Sequence, residues 1–321
     1  MGNINVAVIG PAGYGGGLGK KGTSTEITFY NLKRGEDTVT LIEPSKYPER
    51  LAPLFYAVSM ARMAILVVEE ISPAFGECVL MLHCAGVRSG FIVLRNFIPK
   101  EKVMPLIRGT AVEGYEFVGD EQGALRERLL GEAAKSRGAP TEEVKAGAAV
   151  VDHAFSVKGV GTVALGTVAR GAVRRHDALK VVPGGKVAEV RSIQKHDDDF
   201  EWSVEGDRVG LALKNVEVDD LDRGAVLTND AAVKTAKRLE VGAELLRYWP
   251  APIKQGMAVH LGHWMQFVPA RVEAVSDAGD WRRPNMTLAL EKELAYVAGG
   301  TAVLMYLSGQ KLRVVGTARL Q

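Results

Sequence analysis

Residues 150–186 read VVDHAFSVKGVGTVALGTVARGAVRRHDALKVVPGGK, short apolar and β-branched stretches cut at close intervals by glycine and charged turns. Each interior glycine costs a helix about 1 kcal/mol relative to alanine, which argues against a helix here. Glycines at strand ends instead permit the tight turns and bulges that close a small sheet. The same texture continues through apolar stretches at 161–168, 179–182, 187–193 and 208–213, and no helix longer than a turn or two is needed before Asp230. Regular alternation of strands and turns predicts a small antiparallel β-barrel over 148–230.

Upstream of this segment the pattern differs. The apolar run NVAVI at 5–9 stops at Gly10, and a glycine-dense stretch follows as far as Gly22. Further strands are expected at 39–42, 63–68, 91–94 and 115–118, with helices over 51–62, 77–85 and 121–136. Short apolar strands alternating with helices indicate βαβ units and a mainly parallel sheet, placed here at 1–138. Residues 136–147 (SRGAPTEEVKAG) are small and polar with a proline, as in a linker. From Ala231 to Gln321 the chain is again β-rich, with Trp249, Trp264 and Trp281, and is broken by Pro250, Pro252, Pro269 and Pro284. A second barrel is expected over 231–321. The fold class is therefore multi-domain: an α/β domain followed by two antiparallel β-barrels.

A length of 321 residues suits two or three cores, and 47% hydrophobic with 24% charged residues is ordinary for a globular protein. The net charge of +2 gives no general attraction to nucleic acid or anionic membrane. Charge is unevenly placed, however: Lys+Arg to Asp+Glu run 12 to 7 beyond Ala231 and 11 to 14 over 148–230. The C-terminal barrel thus has the better claim to a face for RNA, and DNA is not expected. Cys78 and Cys84 have the spacing of neither a zinc motif nor a disulfide framework and read as reduced thiols. The N-terminus starts as a strand without a basic leader, and no uncharged apolar run approaches the ~18 residues of a membrane span. A cytoplasmic location, with no membrane, is the simplest expectation.

The middle segment continues through VRSIQKHD and GDRVGLALKNVEVDDLDRGAVL. It resembles the second domain of elongation factor Tu, and especially of SelB-like factors: an apolar strand, a Phe, G-x-G-T-V, G-x-V, G, then an acidic turn and R-G-x-V-L. Phe155, Gly159, Gly161, Thr162, Val163, Gly166, Gly171, Gly206, Arg223, Gly224 and Leu227 fall in that register. The match spans about a quarter of the chain. GKKGTS at 19–24 and SIQ-x-HD at 192–197 also resemble a small SelB-like paralogue group of methanogenic archaea whose GTPase domain is eroded.

The resemblance implies comparison of residues 1–138 with a translational GTPase domain. A phosphate loop needs G-x-x-x-x-G-K-[ST], whose amides wrap the phosphates, whose Lys neutralises them and whose hydroxyl binds Mg²⁺. Here Gly10 and Gly15 hold the glycine places, but Gly16 and Gly17 stand where Lys and Ser/Thr belong. KKGTSTEITFY at 20–30 is similar to the family's first switch, with Thr25 at its Mg²⁺-contacting threonine. The family's D-T-P-G-H becomes Glu43-Pro44-Ser45-Lys46-Tyr47, and N-K-x-D becomes Arg95-Asn96-Phe97-Ile98. Four sites altered together disfavour GTP and Mg²⁺ as cofactors and leave no catalytic residue to assign. Gly10, Gly15 and Thr25 are the remaining nucleotide-site candidates.

The resemblance further implies that Asp152, His153 and Phe155 line an aminoacyl or RNA pocket on the second domain, with Arg223 near the acceptor end of a tRNA. Arginine can pair with phosphate and stack on bases, so the assignment is chemically sensible. Lys20 and Lys21 read as a solvated loop, and His196-Asp197-Asp198-Asp199 as an exposed acidic turn rather than a metal site, because adjacent strand residues alternate faces. No metal motif or acyl-transfer motif is present in the sequence. The leading expectation is a non-hydrolysing translation-factor paralogue acting on tRNA, other RNA or the ribosome. Alternatives are a GTPase with a rewired site using Lys20 or Lys46, and a scaffold for protein partners.

Overall fold

The computed structural model describes residues 2–136, 146–308 and 312–321. It divides into two compact units, Met1–Ala139 and Pro140–Gln321. Most of the expected linker lies outside the described residues.

The first unit is built on a seven-stranded sheet. Its strands are β1 (Gly2–Ile9), β2 (Lys20–Ser24), β3 (Thr28–Arg34), β4 (Asp37–Glu43), β5 (Met63–Val68), β6 (Gly90–Leu94) and β7 (Glu116–Val118). Their order is β2-β3-β4-β1-β5-β6-β7, with β4-β1-β5-β6-β7 parallel and β2-β3-β4 antiparallel. Four helices accompany the sheet: α1 (Ala52–Ser59), α2 (Pro73–Cys84), α3 (Lys100–Ile107) and α4 (Gln122–Lys135). Strands β1 and β5 are buried almost throughout, as a sheet covered on both faces requires. Leu125, Leu129, Leu130 and Ala133 of α4, at helical spacing, meet Ile4, Val6 and Val8 of β1. Leu129 is fully buried there, so Leu129→Ala would cost about 2–5 kcal/mol. Helix α2 starts four residues before the expected 77–85, where Ser72 caps it by accepting from the Phe75 amide at 3.3 Å.

Two features depart from the sequence reading. Residues 20–30, compared above with a switch segment, lie in a hairpin over 20–34 that extends the sheet antiparallel at its edge. Helix α3 is also unforeseen, because Pro99 and Pro105 disguise it; Pro99 is its N-cap and Pro105 lies inside it.

Among the described residues of the second unit the regular elements are strands, apart from one short 3-10 turn at Val218–Asp220. It opens with β8 (Gly147–Val157), β9 (Gly161–Arg174), β10 (Ala178–Val182), β11 (Val187–Lys195), β12 (Asp198–Phe200), β13 (Trp202–Val204), β14 (Arg208–Lys214) and β15 (Val226–Thr228). The path β10-β15-β8-β9-β14-β11 returns to its start through an antiparallel β10–β11 pairing, enclosing Val151, Val168, Leu179, Val190, Leu211 and Leu227. The remaining strands, β16 (Val233–Leu245), β17 (Ala258–His263), β18 (Gln266–Ser276), β19 (Asn285–Val297), β20 (Thr301–Met305) and β21 (Val314–Leu320), form a closed barrel in the order β16-β19-β18-β17-β20-β21. Gly224 has φ +87°, and a Cβ there would lie 3.0 Å from the Met265 carbonyl oxygen, so glycine is required where the two barrels touch.

Candidate functional site

Two places are marked by the sequence: the glycine loop after β1 and the strand pair carrying Asp152, His153, Phe155 and Arg223. In the first, β1 ends at Ile9, just before Gly10, and the chain makes a four-residue 3-10 turn at Tyr14–Gly17 before entering β2. No α-helix follows the loop. Gly13, at φ +83°, turns its amide inward alongside that of Gly15. Amides that converge in this way make an anion-binding concavity, while the Tyr14 amide between them donates to the Pro11 carbonyl at 3.3 Å.

The anion that meets these amides belongs to the chain itself. Glu43, the last residue of β4, accepts from Gly13 N at 2.6 Å on one carboxylate oxygen and from Gly15 N at 3.0 Å on the other. It is only 4% exposed. The Tyr30 ring closes the other side, where a Cβ on Gly15 would come within 2.6 Å of it. A phosphate placed on these amides would meet the Glu43 carboxylate, and Gly16 and Gly17 supply no cation to offset the repulsion. The residues present do not fit a Mg²⁺-nucleotide in the family's manner.

The neighbouring motifs are likewise bonded inward. Tyr14 Oη donates to Asp120 at 2.7 Å, and Asp120 accepts from Arg95 Nε at 2.6 Å. Arg95 Nη1 reaches Glu69 at 3.0 Å, and its guanidinium lies 5.0 Å from the centre of the Tyr14 ring. Burial and the Asp120 contact push the Tyr14 phenol well above its ordinary pKa, so it stays a donor. Arg95, in the place of the guanine-reading Asn, thus bridges two acids. Tyr47, in the place of the water-positioning His, donates to the Ala74 carbonyl at 2.9 Å, and burial raises its phenol pKa strongly. Thr25 sits in the β2–β3 turn, exposed, with its amide bonded to Ile27 O at 2.9 Å. A hydroxyl chain, Ser24–Thr28 at 2.9 Å and Thr28–Ser45 at 2.5 Å, ties that hairpin to the segment after β4.

In the second place the structure gathers all four candidates. Asp152 is 1% exposed and its carboxylate pairs with both terminal nitrogens of Arg208, so it is turned inward. Arg223 Nε donates to the Asp152 carbonyl at 3.1 Å. The rings of His153 and Phe155 lie 5.9 Å apart, and Phe155 is 36% exposed. A register shift between Val151 and His153 produces this arrangement. An arginine bonded next to a partly exposed aromatic pair suits a base or an aminoacyl group. Arg208, which holds Asp152, gave no sequence signal. His196 and Asp197 form a left-handed turn between β11 and β12, and among the described residues no three His, Cys, Asp or Glu side chains gather as metal ligands. No helix among the described residues is long and apolar enough to cross a membrane.

Residues 161–228 match the family model for elongation factor Tu domain 2. Over 321 residues, covering all of both chains, the sequence is 35% identical to an uncharacterized protein of Methanocaldococcus jannaschii. It is 35% identical to the selenocysteine-specific elongation factor of the same organism over 133 residues, covering 40% of this chain and 28% of that one. The chain also resembles the crystal structure of elongation factor SelB from Methanococcus maripaludis in complex with the GTP analogue GppNHp. That match has a TM-score of 0.83 at 21% identity and covers 100% of this chain and 79% of SelB. On the full-length relative, the chain belongs to the family of that Methanocaldococcus jannaschii protein, which is elongation factor Tu- and SelB-like in its second domain and in its fold.

Proposed function

We propose that this chain is a translation-factor relative that works without GTP turnover, with domains at 1–138, 148–230 and 231–321. Its two barrels bind tRNA, another RNA or the ribosome in the cytoplasm, and its G-like domain is a fixed scaffold. The Glu43 carboxylate seated on the Gly13 and Gly15 amides is the observation that favours this reading. With the Glu43 carboxyl group on its amides, the loop needs no γ-phosphate to hold its shape, and the Tyr14–Asp120–Arg95 bonds tie down its neighbours. The clustering of His153, Phe155 and Arg223 supports RNA or aminoacyl binding on the second domain.

The test is retention of tRNA and of ribosomes on the purified chain across a salt series, with and without GTP. Retention that weakens as salt rises and is indifferent to GTP is expected, since phosphate contacts release counterions. Replacing His153 and Phe155 with alanine should weaken tRNA retention by about 5- to 150-fold, the loss of roughly 1–3 kcal/mol of stacking. Retention only in the presence of GTP would favour a working switch. Failure to retain either RNA at low salt would favour a protein scaffold.

A further inference from the structure

We propose that residues 246–250 and 277–284, two loops at one end of the C-terminal barrel, form a stacking surface for unpaired bases of RNA. The site deepens the RNA-binding reading above and rests on it, but it is separate from the His153–Phe155 pair.

The two loops are bonded into one unit. Arg282 Nη1 donates to the Leu246 carbonyl at 2.8 Å and to the Trp249 carbonyl at 3.3 Å, and Leu245 N donates back to Arg282 O at 2.8 Å. Trp249 is 6% exposed, packs edge-on against Tyr306 at 5.8 Å and anchors the first loop in the barrel core. The two loops carry two arginine–aromatic pairs, of which Trp281 also packs against the barrel core. The Arg247 guanidinium lies 4.6 Å from the centre of the Tyr248 ring and also donates to its hydroxyl, while Tyr248 is 48% exposed. The Arg282 guanidinium lies 4.2 Å from the centre of the half-buried Trp281 ring.

Asp277 accepts from Gly279 N at 3.1 Å and Asp280 from Arg282 N at 3.0 Å, so both carboxylates cap their own turn. Arg247 and Arg283 are exposed, and the contact of Arg283 with Glu244 is a loose 3.7 Å with both side chains 71% exposed. Such a pair contributes little and yields readily to a phosphate. Rings that accept a base face, interleaved with guanidinium groups that pair with phosphate, match the alternation of an unpaired nucleotide strand. An acidic peptide would use the cations but has no need of the rings, and duplex RNA hides its base faces.

A labelled single-stranded oligouridylate, titrated into the full chain by fluorescence anisotropy, tests the proposal. Tyr248→Ala should weaken binding about ten-fold, from the stacking lost, while Tyr248→Phe keeps most of it. The double variant R247Q/R283Q should flatten the salt dependence by about one unit of slope or more. Because Tyr248 is exposed, the unfolding midpoint of Tyr248→Ala should match the wild type, which separates binding loss from misfolding. If the wild type binds but both variants bind equally well, this surface is refuted while the RNA reading stands. If duplex RNA or polyglutamate competes as well as the single strand, stacking is refuted. If the wild type binds no single strand, this surface is refuted, and the RNA reading is then decided separately by retention of tRNA and ribosomes in the salt series.

Discussion

Removing the Glu43 carboxylate should loosen the glycine loop and create a site for an external anion. In Glu43→Ala two amides lose their acceptor: Gly15 N, which is buried, and Gly13 N, which is partly reachable by water. A buried unsatisfied donor costs about 1–3 kcal/mol and a charge-assisted hydrogen bond contributes about 1.5–3. The half-exposed Gly13 amide recovers part of its loss by hydration, so the net destabilisation should be about 3 kcal/mol. Glu43→Gln keeps one acceptor oxygen and should lose roughly half as much. Urea denaturation followed by a probe in the first unit reads these values. The decisive arm adds inorganic phosphate or sulfate. Millimolar anion should restabilise Glu43→Ala by filling the concavity and leave the wild type unchanged, because its concavity is already filled. If Glu43→Ala matches the wild type within about 0.5 kcal/mol, or if phosphate stabilises both equally, the carboxylate does not hold the loop.

Other consequences follow from buried groups in the barrels and from Tyr14 in the first unit. His263 is buried with its Nδ1 3.0 Å from Thr301 O, and burial lowers its pKa from 6.5 to about 4. The folded state therefore refuses a proton that the unfolded chain accepts below pH 6.5. Stability should be full above that pH and decline toward pH 4, by about 3 kcal/mol. His263→Gln should flatten that part of the unfolding profile, and an unchanged slope would contradict the assignment. Arg208→Met strands the buried Asp152 carboxylate and should cost about 3–5 kcal/mol, whereas adding Asp152→Leu should return much of it. Additive losses in that double-mutant cycle would show that the two side chains are not coupled. Tyr14→Phe should cost about 1 kcal/mol through the lost Asp120 bond, read in the same urea assay as Glu43→Ala. A cost near zero would mean that water replaces the phenol without loss.

The middle barrel was legible because its glycines sit where turn geometry demands them; Gly159, Gly161, Gly171, Gly206 and Gly224 all have positive φ. The parallel strands were legible as apolar runs, because a sheet covered on both faces needs nearly every residue apolar. The β2–β3 hairpin was not, because Lys20, Lys21 and Ser24 are exposed and carry no alternation to mark a strand. At the candidate sites, sequence located the altered positions but not where their side chains go. Glutamate in the place of aspartate reads as a lost Mg²⁺ ligand. Its extra methylene also lets the carboxylate reach amides 28 and 30 residues away in sequence, a contact visible only once β4 lies beside β1. Asp152 was picked out by register with the family, yet its inward turn depends on Arg208, which stands on β14, two strands over from β8.

The most direct check of the whole account is a calorimetric titration of GTP into the purified, nucleotide-free chain with Mg²⁺ present. No saturable, Mg²⁺-dependent heat is expected, since the concavity is filled by Glu43 and the loop carries no lysine. Tight GTP binding that disappears when Mg²⁺ is chelated would contradict it.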